Sequence, residues 1–115
     1  MDKAAPDSSK KLELPCTLEV AGCGVLAGRT HDLSSQEILI QCPCLVFPGA
    51  RKPKIGATGL ITLTFHLPGI SRETLKIPCR VAYVSSNMVG LQINVQVLNS
   101  HQRERFADLL MSKRG

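Results

Sequence analysis

Strict alternation of apolar side chains over two long stretches constrains the fold of this 115-residue chain more than any other feature. A period of two is that of a half-buried β-strand. The uncharged tripeptide Ser85-Ser86-Asn87 separates the stretches and predicts a tight hairpin turn. A slip of one residue would expose every apolar side chain of a strand, so the register is strongly specified. The inward positions are Leu75, Ile77, Cys79, Val81 and Tyr83 on one strand and Val89, Leu91, Ile93, Val95 and Val97 on the other.

Shorter alternating segments predict four more strands in the first half of the chain. Pro15 has no N–H to donate, so we expect the first of these strands to lie at an edge or to begin beyond Pro15. A loop rich in Pro, Gly and Lys, Pro43 to Ala57, separates the third strand from the fourth. The four segments are Leu12–Val20, Val25–Thr30, Ile38–Cys42 and Ile61–Leu67.

The periodicity becomes helical near the C-terminus. Asn99 or Ser100 is the expected N-cap, and Gln102 or Arg103 follows three residues later, as in a capping box. A helix of about 14 residues is marginal alone, so it must dock its apolar stripe onto the strands. That stripe comprises Phe106, Leu109 and Leu110.

Aromatic residues make up only 3% of the chain and tryptophan is absent. A core without large rings must be filled by aliphatic side chains and cysteine, which suits a small barrel. Phe65 and Tyr83 fall on inward positions and Phe106 faces the barrel from the helix, which leaves Phe47 free. Barrels that bind single-stranded nucleic acid need aromatic stacking platforms. We therefore expect no DNA partner and disfavour a barrel that binds single-stranded nucleic acid.

The five cysteines form an odd set without a CxxC pair, which predicts reduced thiols and neither a disulfide framework nor a metal site. The N-terminus lacks the apolar core of a signal peptide, and no run of about 18 apolar residues occurs. These patterns predict a cytoplasmic protein without membrane insertion. Residues 1–11 are polar and predict a flexible leader, and residues 12–115 a single domain.

Catalytic motifs are missing from the sequence, which predicts a protein that is not an enzyme and has no cofactor. His31, Asp32 and Ser34 are the residue types of a hydrolase triad, but they crowd into four consecutive positions. Neighbouring side chains on extended backbone point to opposite faces, so relay geometry is not expected.

Asp32 and Ser34 suggest a binding loop instead. Side chains two residues apart on extended backbone project to the same side, and here they offer a carboxylate and a hydroxyl. A carboxylate accepts well from the N1–H and exocyclic amine of a guanine. The alternative is that both side chains cap local backbone amides in an Asx or Ser/Thr turn.

Fourteen Lys and Arg residues against nine Asp and Glu give a net charge of +5. Most cations of the first half lie in the leader, the second strand and the long loop, so we expect them to gather on one rim of the barrel. Such a rim is either a solvated face or a surface for a polyanion or an acidic protein. The cations are Lys10, Lys11, Arg29, Arg51, Lys52 and Lys54.

The strand order and the loop residues together resemble a PilZ domain, a small bacterial receptor module for cyclic di-GMP. Asp32-Leu33-Ser34 matches the start of the family motif D/N-x-S-x-x-G. The resemblance implies a mainly β fold, a six-stranded antiparallel PilZ-like β-barrel with a C-terminal α-helix. Other matching segments are Gly56 with the following strand Leu60–Phe65, then Leu75–Tyr83 and Val89-Gly90-Leu91-Gln92-Ile93.

The departures from the family pattern concern the ligand contacts. The family's R-x-x-x-R precedes the first strand and would clamp phosphates and guanine edges, but Ser9 and Glu13 occupy those positions. Glu37 stands where the motif has glycine. The resemblance therefore implies Asp32 and Ser34 as ligand contacts, and the nearby cations are the remaining candidates. These cations are Arg29, Lys10 and Lys11.

Two functions stay open at this point. One is a single-domain PilZ protein in bacterial cyclic di-GMP signalling that binds the dinucleotide with low affinity or in a non-standard way. The other is a ligand-free, degenerate PilZ adaptor that acts through a protein partner in type IV pilus, motility or biofilm machinery. The carboxylates of Glu13 and Glu37 favour the second, and the retained Asp-x-Ser favours the first.

Overall fold

A computed structural model describes residues 13–67 and 69–112 of the chain. The predicted leader, with Lys10 and Lys11, lies outside the described residues. In the part described, no helix combines the length and apolar character needed to cross a bilayer. The elements are β1 (Pro15–Val20), β2 (Gly24–Leu33), β3 (Glu37–Gln41), β4 (Thr58–Leu67), β5 (Ile70–Ser85), β6 (Met88–Ile93) and α1 (Ser100–Ser112).

The six strands pair antiparallel and close into a barrel in the order β1-β2-β3-β6-β5-β4. β1 pairs with β2 on one side and with β4 on the other, so the expectation of an edge strand at Pro15 is wrong. The alternative, a strand that begins beyond Pro15, is wrong by one residue. Pro15 is the first residue of β1, and pairing with β4 begins only at Cys16, so no ladder bond needs the missing N–H.

The barrel interior is aliphatic, as the scarcity of aromatic residues predicts. Phe65 and Phe106 are the rings in the core of the described residues, each only 2% exposed. Apolar burial of this kind is the main favourable term in folding. Side chains with no exposed surface at all include Leu18, Leu33, Ile38, Ile40, Ile61, Leu63, Ile77 and Val89.

The sixth strand is shorter than the alternation predicts. It ends at Ile93, and a 3-10 helix follows at Val95–Val97. The Asn94 side chain accepts a hydrogen bond of 3.0 Å from the Gln96 N–H, which turns the chain out of the ladder. Val97 is consequently 58% exposed and not inward as expected.

Tyr83 also departs from its expected inward position, because a register shift between Val81 and Tyr83 interrupts the pairing of β5 with β6. Val81 lies opposite Leu91 and Tyr83 opposite Gly90, so one extra residue on β5 reverses the phase of the strand. The Tyr83 side chain lies on the outer wall and is 45% exposed. Of the three rings expected to be buried, and so not available for base stacking, Phe65 and Phe106 are buried and Tyr83 is not.

Helix α1 follows the sequence expectation closely. Asn99 is the N-cap: its side-chain oxygen accepts from the Gln102 N–H at 2.8 Å, and the Gln102 side chain accepts from the Asn99 N–H at 3.1 Å. This reciprocal pair is a capping box. Phe106 and Leu109 are buried against the barrel. Arg105 further links the helix to the sheet, with its Nε 3.9 Å from a Glu73 carboxylate oxygen on β5.

All five cysteines are free thiols, and three of them are buried. Burial raises the pKa of the Cys16 thiol to about 12 and those of Cys42 and Cys79 to about 11. Neutral, buried thiols behave as small apolar side chains. Cys23 and Cys44 are only half-buried.

We expect iodoacetamide to modify Cys23 and Cys44 in the native protein at about pH 8 and to spare the buried three, because only a thiolate attacks. A pKa of about 11 leaves roughly one thiol in a thousand ionised at that pH. Mass mapping of labelled peptides measures this, with denatured protein as the control in which all five thiols react. Native labelling of Cys42 as fast as that of Cys23 would contradict the assignment.

Candidate functional site

The segment that enters β1 is fixed to β2 by Thr30, a polar residue only 1% exposed. The Thr30 hydroxyl accepts a hydrogen bond of 2.8 Å from the Leu14 N–H. The Thr30 N–H in turn donates to the Leu14 carbonyl at 2.9 Å. This pair of bonds holds exposed Glu13 beside the part of β2 that carries Asp32.

We expect Thr30→Val to lower the free energy of unfolding by about 1–2 kcal/mol, because the Leu14 N–H loses its hydroxyl acceptor in a partly buried setting. Urea denaturation followed by circular dichroism measures the loss. Thr17→Val makes the same chemical change at an exposed position of β1 and serves as the control. Equal stability of the two variants would show that the hydroxyl does not anchor the segment.

A β-bulge at His31 turns Asp32 to the outer wall of the barrel. Thr30 lies opposite Ile40 and Asp32 opposite Leu39, so β2 has one residue more than β3 across this interval. Thr30 and Leu33 therefore both point inward although three positions separate them. Asp32 is half-buried, and its Oδ1 accepts from the Leu33 N–H at 2.9 Å.

The Ser34 hydroxyl is used within the turn that connects β2 to β3. It accepts from the backbone N–H groups of Glu37 at 3.0 Å and Gln36 at 3.3 Å, and it donates to the Glu37 carbonyl at 3.2 Å. A hydroxyl has one proton and two lone pairs, so this set fills its capacity. Ser34 thus follows the Ser/Thr-turn alternative, and a direct ligand contact through it stays a prediction.

Glu37, at the position of the motif glycine, has ordinary backbone geometry. Among the described residues, Ser86 is the non-glycine residue with positive φ, so the change from glycine stores no strain at position 37. Glu37 is the first residue of β3 and lies exposed opposite Gln92. Glu37 therefore affects a ligand through the negative charge of its carboxylate.

Asp32 belongs to a cross-strand row on the outer wall that ends at an exposed aromatic ring. Leu39 lies opposite Asp32, Gly90 opposite Leu39, and Tyr83 opposite Gly90. A Cβ atom at Gly90 would collide with the Tyr83 ring, so glycine leaves the space that the ring fills. The row therefore offers a carboxylate at one end and an aromatic side chain at the other. We call Asp32, Leu39, Gly90 and Tyr83 the wall row.

A second row runs beside the first and contributes a cation. Glu37, Gln92, Arg80 and Thr58 lie opposite one another on β3, β6, β5 and β4. On β3 the two rows are two residues apart, roughly 7 Å. A depression of about 320 Å³ lies at the Arg80 end, lined also by Gln92, Asn94 and Val97.

The charged side chains of this wall include more carboxylates than cations. Arg29 lies exposed on β2 opposite Gln41, and Arg80 is the second cation. Against them stand the carboxylates of Glu13, Asp32 and Glu37, so the described charges sum to 2 − 3 = −1. The other predicted cations of the described residues, Arg51, Lys52 and Lys54, belong to the loop of residues 42–57, which starts beyond the far end of β3 from Ser34. The end of that loop reaches β5, where Val81 exchanges backbone hydrogen bonds with Gly56 and Ala57.

Sequence reasoning missed Leu39, Gly90 and Tyr83 as members of the row that starts at Asp32, and Arg80 as a member of the row beside it. The register that brings them together depends on two bulges, at His31 and at Ala82, neither of which has a sequence signature. One signal was present. A glycine within a strand often marks a close approach by another group, and Gly90 indeed faces the Tyr83 ring.

Comparison with known proteins identifies the fold. No family model matches the sequence, and no curated protein matches it. Among solved structures, the crystal structure of the PilZ domain of CeSA from a cellulose-synthesizing bacterium is similar, with 18% sequence identity and a TM-score of 0.62. The similarity covers 91% of this chain and 96% of that one. This six-stranded closed barrel with its C-terminal helix has the fold of a PilZ domain, as the sequence resemblance implies.

Proposed function

We propose that this chain is a PilZ-type module of cyclic di-GMP signalling that binds the dinucleotide with low affinity on the outer wall of β2, β3, β6 and β5. The observation that carries the proposal is the wall row, which joins Asp32 to the exposed Tyr83 ring across Gly90. The function is recognition without catalysis, in the cytoplasm, where a second messenger of this kind acts.

The chemistry of the row suits a guanine base. The Asp32 carboxylate accepts hydrogen bonds, and the N1–H and exocyclic amine of guanine present two parallel donors. The Tyr83 ring offers a stacking surface, and base–aromatic stacking contributes about 1–3 kcal/mol per base. Arg80 and Arg29 flank the row and are the described cations available to the phosphates.

Low affinity follows from the carboxylates on the same wall. Glu13 and Glu37 repel a ligand with two phosphate charges, and the Ser34 hydroxyl is engaged in its turn. The arginine forks that grip phosphate with two hydrogen bonds in the family are replaced by Ser9 and Glu13. We expect a Kd of tens of micromolar, on the order of −6 kcal/mol.

Isothermal titration of cyclic di-GMP into the protein tests the proposal. We expect saturable binding by the unaltered chain and a loss of about tenfold or more in affinity for Asp32→Ala and for Tyr83→Ala. Phe47→Ala removes an exposed ring elsewhere, 65% exposed against 45% for Tyr83, and is the control, for which we expect unchanged affinity. Binding that is indifferent to Asp32→Ala and Tyr83→Ala would contradict the proposed face.

A ligand-free adaptor is the second candidate function, favoured by the carboxylates of Glu13 and Glu37 and by the engaged Ser34 hydroxyl. In that case the unaltered chain gives no heat with cyclic di-GMP at millimolar excess. The wall would then bind a protein partner. The informative experiment is to introduce the family's arginines at positions 9 and 13 and its glycine at position 37.

A further inference from the structure

The end of the barrel opposite the Ser34 turn forms a separate surface with its own chemistry. The loop of residues 42–57 covers this end and is tied to two turns. The Cys42 N–H donates to the Asn87 carbonyl at 2.7 Å in the β5–β6 turn. The Cys23 thiol in the β1–β2 turn donates to the Arg51 carbonyl at 3.4 Å. We call this loop with the two turns the basic end.

Apolar side chains protrude from the basic end at two separate tight turns. Phe47 starts one turn, closed by the Ala50 N–H donating to the Phe47 carbonyl at 3.1 Å. Ile55 lies in the other, closed by the Ala57 N–H donating to the Lys54 carbonyl at 3.0 Å. Phe47 is 65% exposed and Ile55 70%. Val46, the neighbour of Phe47 in sequence, is exposed as well. Exposed apolar side chains that lie together favour a contact surface.

The same surface is predominantly cationic. Arg51, Lys52 and Lys54 are exposed in the stretch from Phe47 to Ile55. The segments that build this end, residues 20–25, 41–58 and 84–88, contain no Asp or Glu. Glu19 of β1 lies at the border of this end, where it lines a depression with Ala21 and Thr58. With Glu19 counted, the basic end has a net charge of 3 − 1 = +2.

We propose that the basic end docks this protein peripherally on an anionic lipid bilayer, with Phe47 and Ile55 entering the headgroup region and the cations facing anionic headgroups. A flat, negatively charged surface engages tips on two turns at once. The barrel is closed over the described residues, so it offers no strand edge for an added peptide. The inference does not depend on dinucleotide binding, because its test uses lipid alone. The two surfaces adjoin at Val81, which exchanges backbone hydrogen bonds with Gly56 and Ala57.

Co-sedimentation with phospholipid vesicles tests the proposal. We expect the protein to bind vesicles of phosphatidylcholine containing roughly 30% phosphatidylglycerol and not pure phosphatidylcholine. Arg51→Gln/Lys52→Gln/Lys54→Gln should reduce the partition coefficient about 100-fold, since each basic residue near the surface contributes about fivefold. The matched control neutralises three exposed cations elsewhere and should bind much more tightly than the loop variant. That control is Arg72→Gln/Lys76→Gln/Arg103→Gln.

A tryptophan reporter gives an independent readout, because the sequence contains none. Phe47→Trp should shift its emission to the blue on addition of the anionic vesicles. Val97→Trp, at a position 58% exposed on another surface, should show no shift. Equal binding to neutral and anionic vesicles, or equal losses in the two triple variants, would overturn the proposal.

An acidic peptide is the competing occupant. A depression of about 340 Å³ beside Phe47, lined also by Leu26, Cys44 and Pro48, has room for one apolar side chain of such a partner. A copolymer of Glu and Tyr is the probe. If it shifts the tryptophan emission of the Phe47→Trp variant while anionic vesicles do not, the bilayer proposal fails in favour of protein docking.

Discussion

The variant Ser9→Arg/Glu13→Arg/Glu37→Gly should bind cyclic di-GMP at least about 100-fold more tightly than the unaltered chain. Glu13 is held beside β2 through the bonds between Leu14 and Thr30, so an arginine there enters the neighbourhood of Asp32. Each hydrogen bond to a charged group contributes about 1.5–3 kcal/mol. Removing two carboxylates also removes their repulsion of the phosphates. Isothermal titration measures the gain.

The control for this gain is Glu19→Arg, which makes the same charge change on β1 at the other end of the strand. A general electrostatic effect would raise the affinity equally in Glu13→Arg and Glu19→Arg, whereas we expect only the first to do so. If the restored triple variant binds no better than the unaltered chain, the wall row is not the dinucleotide site. If the unaltered chain shows no binding and the triple variant binds, the adaptor function is favoured.

Gly59→Val should lower the free energy of unfolding by about 3 kcal/mol or more and the melting temperature by more than about 10 °C. Gly59 lies in β4 opposite Val20, where β1 closes the barrel. A Cβ at Gly59 would collide with the Glu19 carbonyl oxygen. That atom belongs to the backbone of the paired strand and cannot rotate away, so the two strands must separate.

Thr62→Val is the matched control on the same strand. Thr62 lies opposite Thr17 at the same β1–β4 pairing, but its side chain is only half-buried. We expect a change within about 0.5 kcal/mol. Denaturant unfolding of both variants measures the difference, and equal stabilities would show that the two strands do not approach each other closely at Gly59.

Most of the architecture follows from the sequence, because hydrophobic periodicity decides it. The six strands and the C-terminal helix were all predicted, with Asn99 as one of two candidates for the N-cap. Hydrophobic periodicity does not predict the position of a bulge. The extra residue at Ala82 adds nothing unusual to the pattern, yet it turns Tyr83 from the core to the outer wall.

The candidate site is predicted less completely, for a related reason. Asp32 was identified from its motif, and its position on the outer wall fits the role. The other members of its row come from β3, β6 and β5, and only the register of the closed barrel places them in one row. Ser34 was predicted with two alternatives, and its three bonds within the turn follow the local one. Lys10 and Lys11 stay predictions.

The most direct test of the proposed function is a titration of the unaltered, isotopically labelled protein with cyclic di-GMP, followed by backbone amide NMR shifts. We predict saturable shifts that cluster at Asp32, Leu39, Gly90 and Tyr83, with the amides around Phe47 unchanged. No shift at millimolar ligand, or shifts confined to the basic end, would contradict dinucleotide binding at the wall row.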